Sequence, residues 1–402
     1  MTIRVLACGS SLEAGGSERQ LVQLVRVLPA EHFLREIYLL HRRGTLMERV
    51  PAGVPIHDFF SHYHARLWWP GRIRRAQIAH MTEILRRRAI DVVYDRTYHM
   101  TLVTGAACRR LAIPRISVIT SPPSRDFGQA RERFHRWKRY LLARYYQSPQ
   151  SVIIAVSRAV AEDAAEYFRL PLDRITVVPN AVDAEAIERA AQQQWSAPDA
   201  ECRGRPYWLM VARMTAEKGH QRALEAFAAY RRMIPAAEGE QLLLVGDGPL
   251  RAQLQALCQQ LQLDSCVRFC GAVNNPFPLM RRAVGLLIPS QYEGLPNVAL
   301  EAMVLGRPVI ATPCSDDLVT LLSDGRGWVS NAMSAEAVCN AMRQLRTADA
   351  AVVQERANRG REYVLQHHGL LRWGGTMQQL IAALVESAGP TNPTRWRKTV
   401  QR

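Results

Sequence analysis

Short aliphatic and β-branched runs alternate with longer amphipathic stretches along this chain, and the alternation plays through twice. In the first half the runs are Ile3–Ala7, Glu36–Leu40, Val92–Tyr94, Ile116–Thr120 and Val152–Val156, separated by helical stretches such as Ser17–Leu28 and Gln77–Arg88. In the second half they are Tyr207–Ala212, Gln241–Val245, Val267–Phe269, Gly285–Pro289 and Val309–Thr312. Strands joined through helices must run parallel, because a parallel neighbour is reached only by a crossover, so the pattern predicts two doubly wound α/β domains. A length of 402 residues suits that count, since single cores stop growing well below it. Between the halves, "RITVVPNAVDAEAI" reads as a strand, a Pro179-Asn180 turn and a helix start at Asp183, followed by a polar excursion from Ala190 to Arg205. The expected division is 1–182, 183–370, a helix over 371–388 returning to the first domain, and a basic, frayed tail over 389–402. Two such domains facing one another would hold ligand in a cleft at the carboxyl ends of their strands.

Composition narrows the class. Eight cysteines are scattered with no Cys-x-x-Cys pair, which argues against a zinc site and for a reducing cytoplasm. No apolar run is long enough to span a bilayer, and "MTIRVLACGSS" reads as a strand and turn, so a signal peptide is not expected. The formal charge of +16 calls for an anionic partner: nucleic acid, an anionic membrane or a phosphorylated substrate. Zinc-finger spacing, an RNP-type aromatic motif and a recognition helix are all missing from the sequence, so nucleic acid is not expected.

The stretch "SQYEGLPNVALEAMVLGRPVIAT" (290–312) places Glu293 before an expected helix over Pro296–Leu305 and Glu301 inside it. Backbone N–H groups at Leu295, Asn297 and Val298 would make the amino end an anion site, with phosphate its usual guest. Glu301 and Glu293 would then reach hydroxyls on either side, a pattern that describes a nucleotide sugar. A solvated loop acid and an ordinary helix residue would look the same from this stretch alone. "WLMVARMTAEKGHQRALEAF" adds Arg213 at a strand end and Lys218 five residues later, two cations suited to a departing diphosphate, where fixed donors count most. Gly15-Gly16 in "GSSLEAGGSERQLVQLV" lies in the first strand-to-helix loop, with Ser17 and Glu18 suited to open the helix. Gly246 in "LLLVGDGPLRAQL" forms a turn at the same sheet edge, and Ala272 and Val273 after "VRFCG" would read a base edge.

Together "GGSERQL", "VVPNAVD", "VARMTAEKG", "LLLVGDGP", "VRFCGAV" and the Glu293–Glu301 stretch resemble the retaining GT-B glycosyltransferases of family 4. The resemblance implies a donor held mainly by the second domain, with Glu301 on the ribose, Arg213 and Lys218 on the diphosphate, Glu293 on hexose hydroxyls and Gly294 in the loop beside it. Gly16 would close over the diphosphate from the first domain. It also implies no cofactor, independence of metal, a UDP-sugar rather than a GDP-sugar, and front-face displacement with the leaving phosphate helping to take the acceptor proton. One departure stands out. Where relatives often carry a histidine near the sugar, this chain reads Ser121-Pro122-Pro123 with Asp126 nearby, and His99 lies after the preceding strand. An impaired relative that only binds nucleotide sugar, or a nucleotide-sugar epimerase, is the alternative.

The acceptor side is read from charge. "ARERFHRWKRYLLARYY" (130–146) sets Phe134, Trp137, Leu141 and Tyr145 at near-helical spacing among six basic residues, and "LWWPGRIRR" (67–75) adds an aromatic pair with a basic flank. Such surfaces suit an anionic membrane. The expectation is a saccharide or lipid-linked acceptor in cell-surface polysaccharide or glycolipid assembly, on the cytoplasmic face of the inner membrane. The plainer reading packs the aromatic stripe on the first sheet and leaves the arginines solvated.

Overall fold

The computed structural model describes residues 2–13, 15–63, 71–129, 134–194, 204–234 and 239–388. The chain divides into two units, Ala181–Gly369 and the residues on either side of it. The first unit contains β1 (Ile3–Gly9), α1 (Gly16–Val27), β2 (Phe33–Leu39), β3 (Ile56–Asp58), α2 (Arg72–Arg87), β4 (Val92–Arg96), α3 (Tyr98–Leu111), β5 (Arg115–Ile119), α4 (Pro123–Gln129), α5 (His135–Tyr146), β6 (Ser151–Ala155), α6 (Arg158–Phe168) and β7 (Ile175–Val177). The second contains α7 (Ala184–Ala191), β8 (Tyr207–Val211), α8 (His220–Met233), β9 (Gln241–Val245), α9 (Arg251–Gln260), β10 (Val267–Gly271), α10 (Phe277–Arg282), β11 (Gly285–Ile288), α11 (Asn297–Val304), β12 (Val309–Ala311), α12 (Asp316–Leu322), β13 (Trp328–Val329), α13 (Ala335–Thr347) and α14 (Ala350–His367). The final helix α15 (Leu370–Ser387) belongs to the first unit, where Gln378 donates to the Val27 carbonyl at the end of α1.

Both sheets are parallel throughout their strand pairings, in the orders β3-β2-β1-β4-β5-β6-β7 and β10-β9-β8-β11-β12-β13. In each unit the chain winds outward to one edge, returns to the centre and winds to the other. The reversal falls between β1 and β4 in the first sheet and between β8 and β11 in the second. At such a point the loops leave in opposite directions and open a crevice at the carboxyl ends.

Helices on both faces explain why the central strands are mostly apolar and buried: β9 is buried along its whole length, and Trp208 of β8 packs edge-on to Tyr230 of α8. Trp208 Nε1 and the Tyr230 hydroxyl both donate to the buried Glu240 carboxylate, whose other oxygen accepts from Arg346 at 2.7 Å. Asp95, fully buried in β4, is satisfied in the same way by Thr101, Thr104 and Ser117 at 2.6, 2.7 and 3.0 Å. Both acids are structural, since a buried carboxylate persists only when its oxygens are paired.

The structure departs locally from the sequence reading. The short strands β3 and β13 were not anticipated; a run of two or three residues carries too little alternation to be seen. Helix α1 opens at Gly16, with Gly15 in extended backbone as its cap and no side-chain capping bond, so Ser17 and Glu18 lie within the first turn. Pro296 caps α11 from outside rather than occupying its first turn. The segment after Pro122 forms helix α4. In α5 the buried residues are Leu142, Tyr145 and Tyr146, while Phe134, Trp137 and Tyr140 are exposed at 72%, 48% and 60%. The expected stripe therefore splits, its carboxyl end packing inward and its amino end facing solvent. Positions 67–70 and 130–133 of the basic stretches, and the tail from 389, lie outside the described residues.

Candidate active site

The second unit's switch point gathers the charged residues. After β8 the chain passes Arg213 and a short turn over Ala216–Lys218, and α8 begins at His220 after the single residue Gly219. Gly219 makes that geometry possible: its φ is +72°, and a Cβ there would lie 1.9 Å from the Pro289 carbonyl oxygen just beyond β11. The two loops are sewn together by the Gln291 N–H donating to the Glu217 carbonyl at 2.7 Å. Thr312, beyond β12, donates to the Ser290 carbonyl at 2.6 Å and fixes the start of the β11 loop.

This close approach brings Lys218 onto Glu293. The ammonium donates to both carboxylate oxygens at 2.9 and 3.0 Å, and Ser290 Oγ donates to one of them at 2.7 Å. The sequence reading gave Lys218 and Glu293 separate parts of a ligand; here they form one pair, with side chains only 22% and 11% exposed. Burial alone would drive the Lys218 ammonium toward neutrality. Glu293 outweighs it and holds the lysine above its usual range, while the nearby Arg213 cation pulls the other way. Lysine has three N–H donors, so one remains for a ligand beside the two that Glu293 accepts. Arg213 itself is exposed. Behind the pair, His220 is 1% exposed, and burial, followed by the Lys218 charge, pushes its pKa down to about 4. Cys314 is kept a thiol, its pKa raised to about 12 by burial and then by Glu293, so it is no nucleophile.

Helix α11 starts four residues after Glu293, with no side chain capping its amino end. Gly294, Leu295 and Pro296 are buried in the approach, and Asn297 and Val298 are partly exposed. Asn297 Oδ1 is buried without a hydrogen-bond partner, an acceptor left for a ligand donor. Glu301 is 4% exposed within the helix. On the other side of β8, Gly246 has φ +133° and a Cβ there would lie 1.9 Å from the Ala212 carbonyl oxygen, so the β9 turn lies directly against the chain leading to Arg213. Ala272 is exposed and Val273 partly exposed at the end of β10. Sequence reasoning missed Ser290, Thr312 and His220, which support the pair. Ser290 stood three residues before Glu293, but its bond depends on a loop conformation that no spacing rule encodes.

In the first unit the candidates are dispersed over three loops. Gly15 and Gly16 follow β1, and His99 is exposed in the first turn of α3 after β4. Ser121, after β5, donates to Asp126 in α4 and accepts the Tyr98 hydroxyl at its carbonyl at 2.7 Å. Thr97, at the end of β4, holds φ +118°, a strained value for a β-branched residue, and caps α3 by accepting from the Met100 N–H. Among the described residues no group of three or more His, Cys, Asp or Glu side chains gathers as a metal site.

Comparison with known proteins adds two family matches: the model for glycosyl transferases group 1 over residues 205–348, and that for glycosyltransferase family 4 over residues 14–186. An uncharacterized glycosyltransferase of Methanocaldococcus jannaschii is 25% identical over 43% of this chain and 42% of its own length. An N-acetylgalactosamine-N,N'-diacetylbacillosaminyl-diphospho-undecaprenol 4-alpha-N-acetylgalactosaminyltransferase of Campylobacter jejuni is 26% identical over 40% and 41%. The chain thus spans about two fifths of the length of these curated relatives. Anabaena HepE, solved in complex with UDP and glucose, superposes with a TM-score of 0.77 at 17% identity, covering 94% of this chain and 99% of that one, a likeness of fold. With one family model on each unit and that fold behind them, the chain belongs to the GT-B glycosyltransferases of group 1 and family 4.

Proposed function

We propose that this protein transfers a hexose or N-acetylhexosamine from a UDP-sugar to a saccharide or lipid-linked acceptor, retaining the anomeric configuration and needing no metal. The observation that carries the reading is the Lys218–Glu293 pair beside the uncapped amino end of α11. Positive charge and a helix amino end at one point suit a diphosphate, and a carboxylate fixed there suits the sugar it carries. As the bond between the anomeric carbon and the phosphate breaks, charge grows on the diphosphate. Lys218 and Arg213 meet that charge in place of a metal, and Glu293 holds the hexose hydroxyls. Glu301 and the orphaned Asn297 Oδ1 take ribose or sugar hydroxyls. UDP is preferred to GDP because the fold relative HepE was solved with UDP and glucose.

The lipid-linked acceptor draws on two observations. The Campylobacter relative is named for a diphospho-undecaprenol acceptor. The exposed Phe134, Trp137 and Tyr140 of the first unit stand among Arg136, Lys138, Arg139 and Arg144, a surface suited to the cytoplasmic face of an anionic membrane. No helix of the described residues is long and apolar enough to cross one. Flotation with anionic vesicles at low salt tests this surface; failure to float rules it out.

A thermal-shift panel of UDP- and GDP-sugars tests the donor, since only a bound ligand raises the melting temperature. Stabilisation by UDP-sugars is expected, and its absence across the panel refutes the reading. Donor binding without transfer would favour the second reading, a nucleotide-sugar binder. The Ser121–Asp126 contact, standing where relatives often have a histidine, is what supports that alternative.

A further inference from the structure

A polar cavity lies in the second unit, where α7, α10, α14 and the carboxyl end of α11 meet. It measures about 430 Å³, and its charged lining is three arginines, Arg281, Arg307 and Arg361, against one glutamate, Glu188. That glutamate is already engaged: Arg361 Nη2 donates to it at 2.6 Å, while Arg361 Nε donates to the Val304 carbonyl at 3.0 Å. The last carbonyls of α11 are occupied as well, Ala302 by the Arg307 N–H and Met303 by the Gly306 N–H. Glu188 and these helix carbonyls are thus engaged by Arg361 and by backbone N–H groups rather than by Arg281 or the Arg307 side chain. Arg307 Nε is buried and has no hydrogen-bond partner among the described residues.

Two guanidinium groups on one cavity wall repel each other, and the partial burial of Arg307, though not of the exposed Arg281, weakens the solvent screening between them. The Arg307 group records this: burial, then the Arg281 charge, draws its pKa below the ordinary arginine value. An anion between them reverses both effects. Planar guanidinium groups offer paired N–H donors that match the oxygens of a phosphate. The volume admits a phosphate with a small group attached.

We propose that Arg281 and Arg307 form a binding site for the phosphate of a small phosphate monoester, separate from the Lys218–Glu293 pair. The site lies at the carboxyl end of α11, and the pair lies before its amino end. Eight residues of helix, roughly 12 Å, separate the two.

The test is isothermal titration of the full chain with inorganic phosphate and, in parallel, glucose 1-phosphate, at constant ionic strength in chloride. Binding of phosphate to the wild type should persist when UDP is present in excess. Arg281→Gln and Arg307→Gln should each weaken binding by about tenfold or more. Tighter binding of glucose 1-phosphate than of phosphate would assign the extra volume to the sugar. No binding to wild type, loss of binding in excess UDP, or unchanged affinity in a folded arginine variant overturns the proposal. Should Arg307→Gln fail to fold, Arg281, whose side chain is exposed, decides alone.

Discussion

The two units share a sheet plan yet furnish their switch points differently. In the second, β8 and β11 deliver a lysine and a glutamate into direct contact, backed by Ser290, Thr312 and a buried neutral histidine. In the first, β1 and β4 deliver glycines and a strained threonine, and the polar candidates Ser121 and Asp126 stand one strand further out. The difference suits a division of labour. A diphosphate demands fixed charge, which a desolvated ion pair supplies, whereas an acceptor hydroxyl needs only shape and weak polar contacts.

The sharpest way to break this contrast is to remove charge from the second unit. Glu293→Gln and Arg213→Ala should each lower transfer by about 10²–10³-fold with the fold retained. Steady-state kinetics beside circular dichroism check this, and wild-type turnover in either variant would cancel the assigned roles. Next in size, Gly219→Ala should destabilise the second unit by roughly 2–4 kcal/mol, since a new Cβ meets the Pro289 carbonyl and φ is positive. Denaturant melts measure it.

The third prediction concerns acid. His220 is neutral in the fold with its pKa near 4, below its unfolded value, so the unfolded chain binds the extra proton between those values. Stability is therefore complete above roughly pH 6.5 and falls as pH drops toward the folded pKa. Wild type should lose about 2 kcal/mol from this group by about pH 5, and His220→Phe should lose that much less. Equal acid sensitivity in the two would remove the histidine from the account. Smallest of all, Asp126→Asn in the first unit should raise the acceptor KM by roughly threefold to tenfold, as for the loss of one hydrogen bond. It should leave the donor-induced melting shift untouched. A lost donor shift would show that the two switch points are not separable in this way.

How much of this was legible beforehand follows from the range of each interaction. The long strands and helices were readable because burial on one or two faces imposes a period on the sequence, and β3 and β13 were not, being too short to show one. Arg213, Lys218 and Glu293 were readable as charges in the loops that follow strands, and Glu301 as an acid within the next helix. The burial of Glu301 and the orphaned Asn297 oxygen were not, because both depend on how α11 is seated among its neighbours. The α5 stripe could be read either way from its spacing, and only the packing shows that it divides, with Tyr145 inward and Phe134 and Trp137 exposed.

By itself the sequence determined that the chain makes two parallel α/β units and that its charges stand at strand ends, since hydrophobic period and turn chemistry are local properties. Only the tertiary structure decided that Lys218 and Glu293, 75 residues apart, would meet. Their contact exists because β11 returns to lie beside β8, and strand order is set by how crossover helices cover the sheet, a choice that no stretch of sequence makes alone.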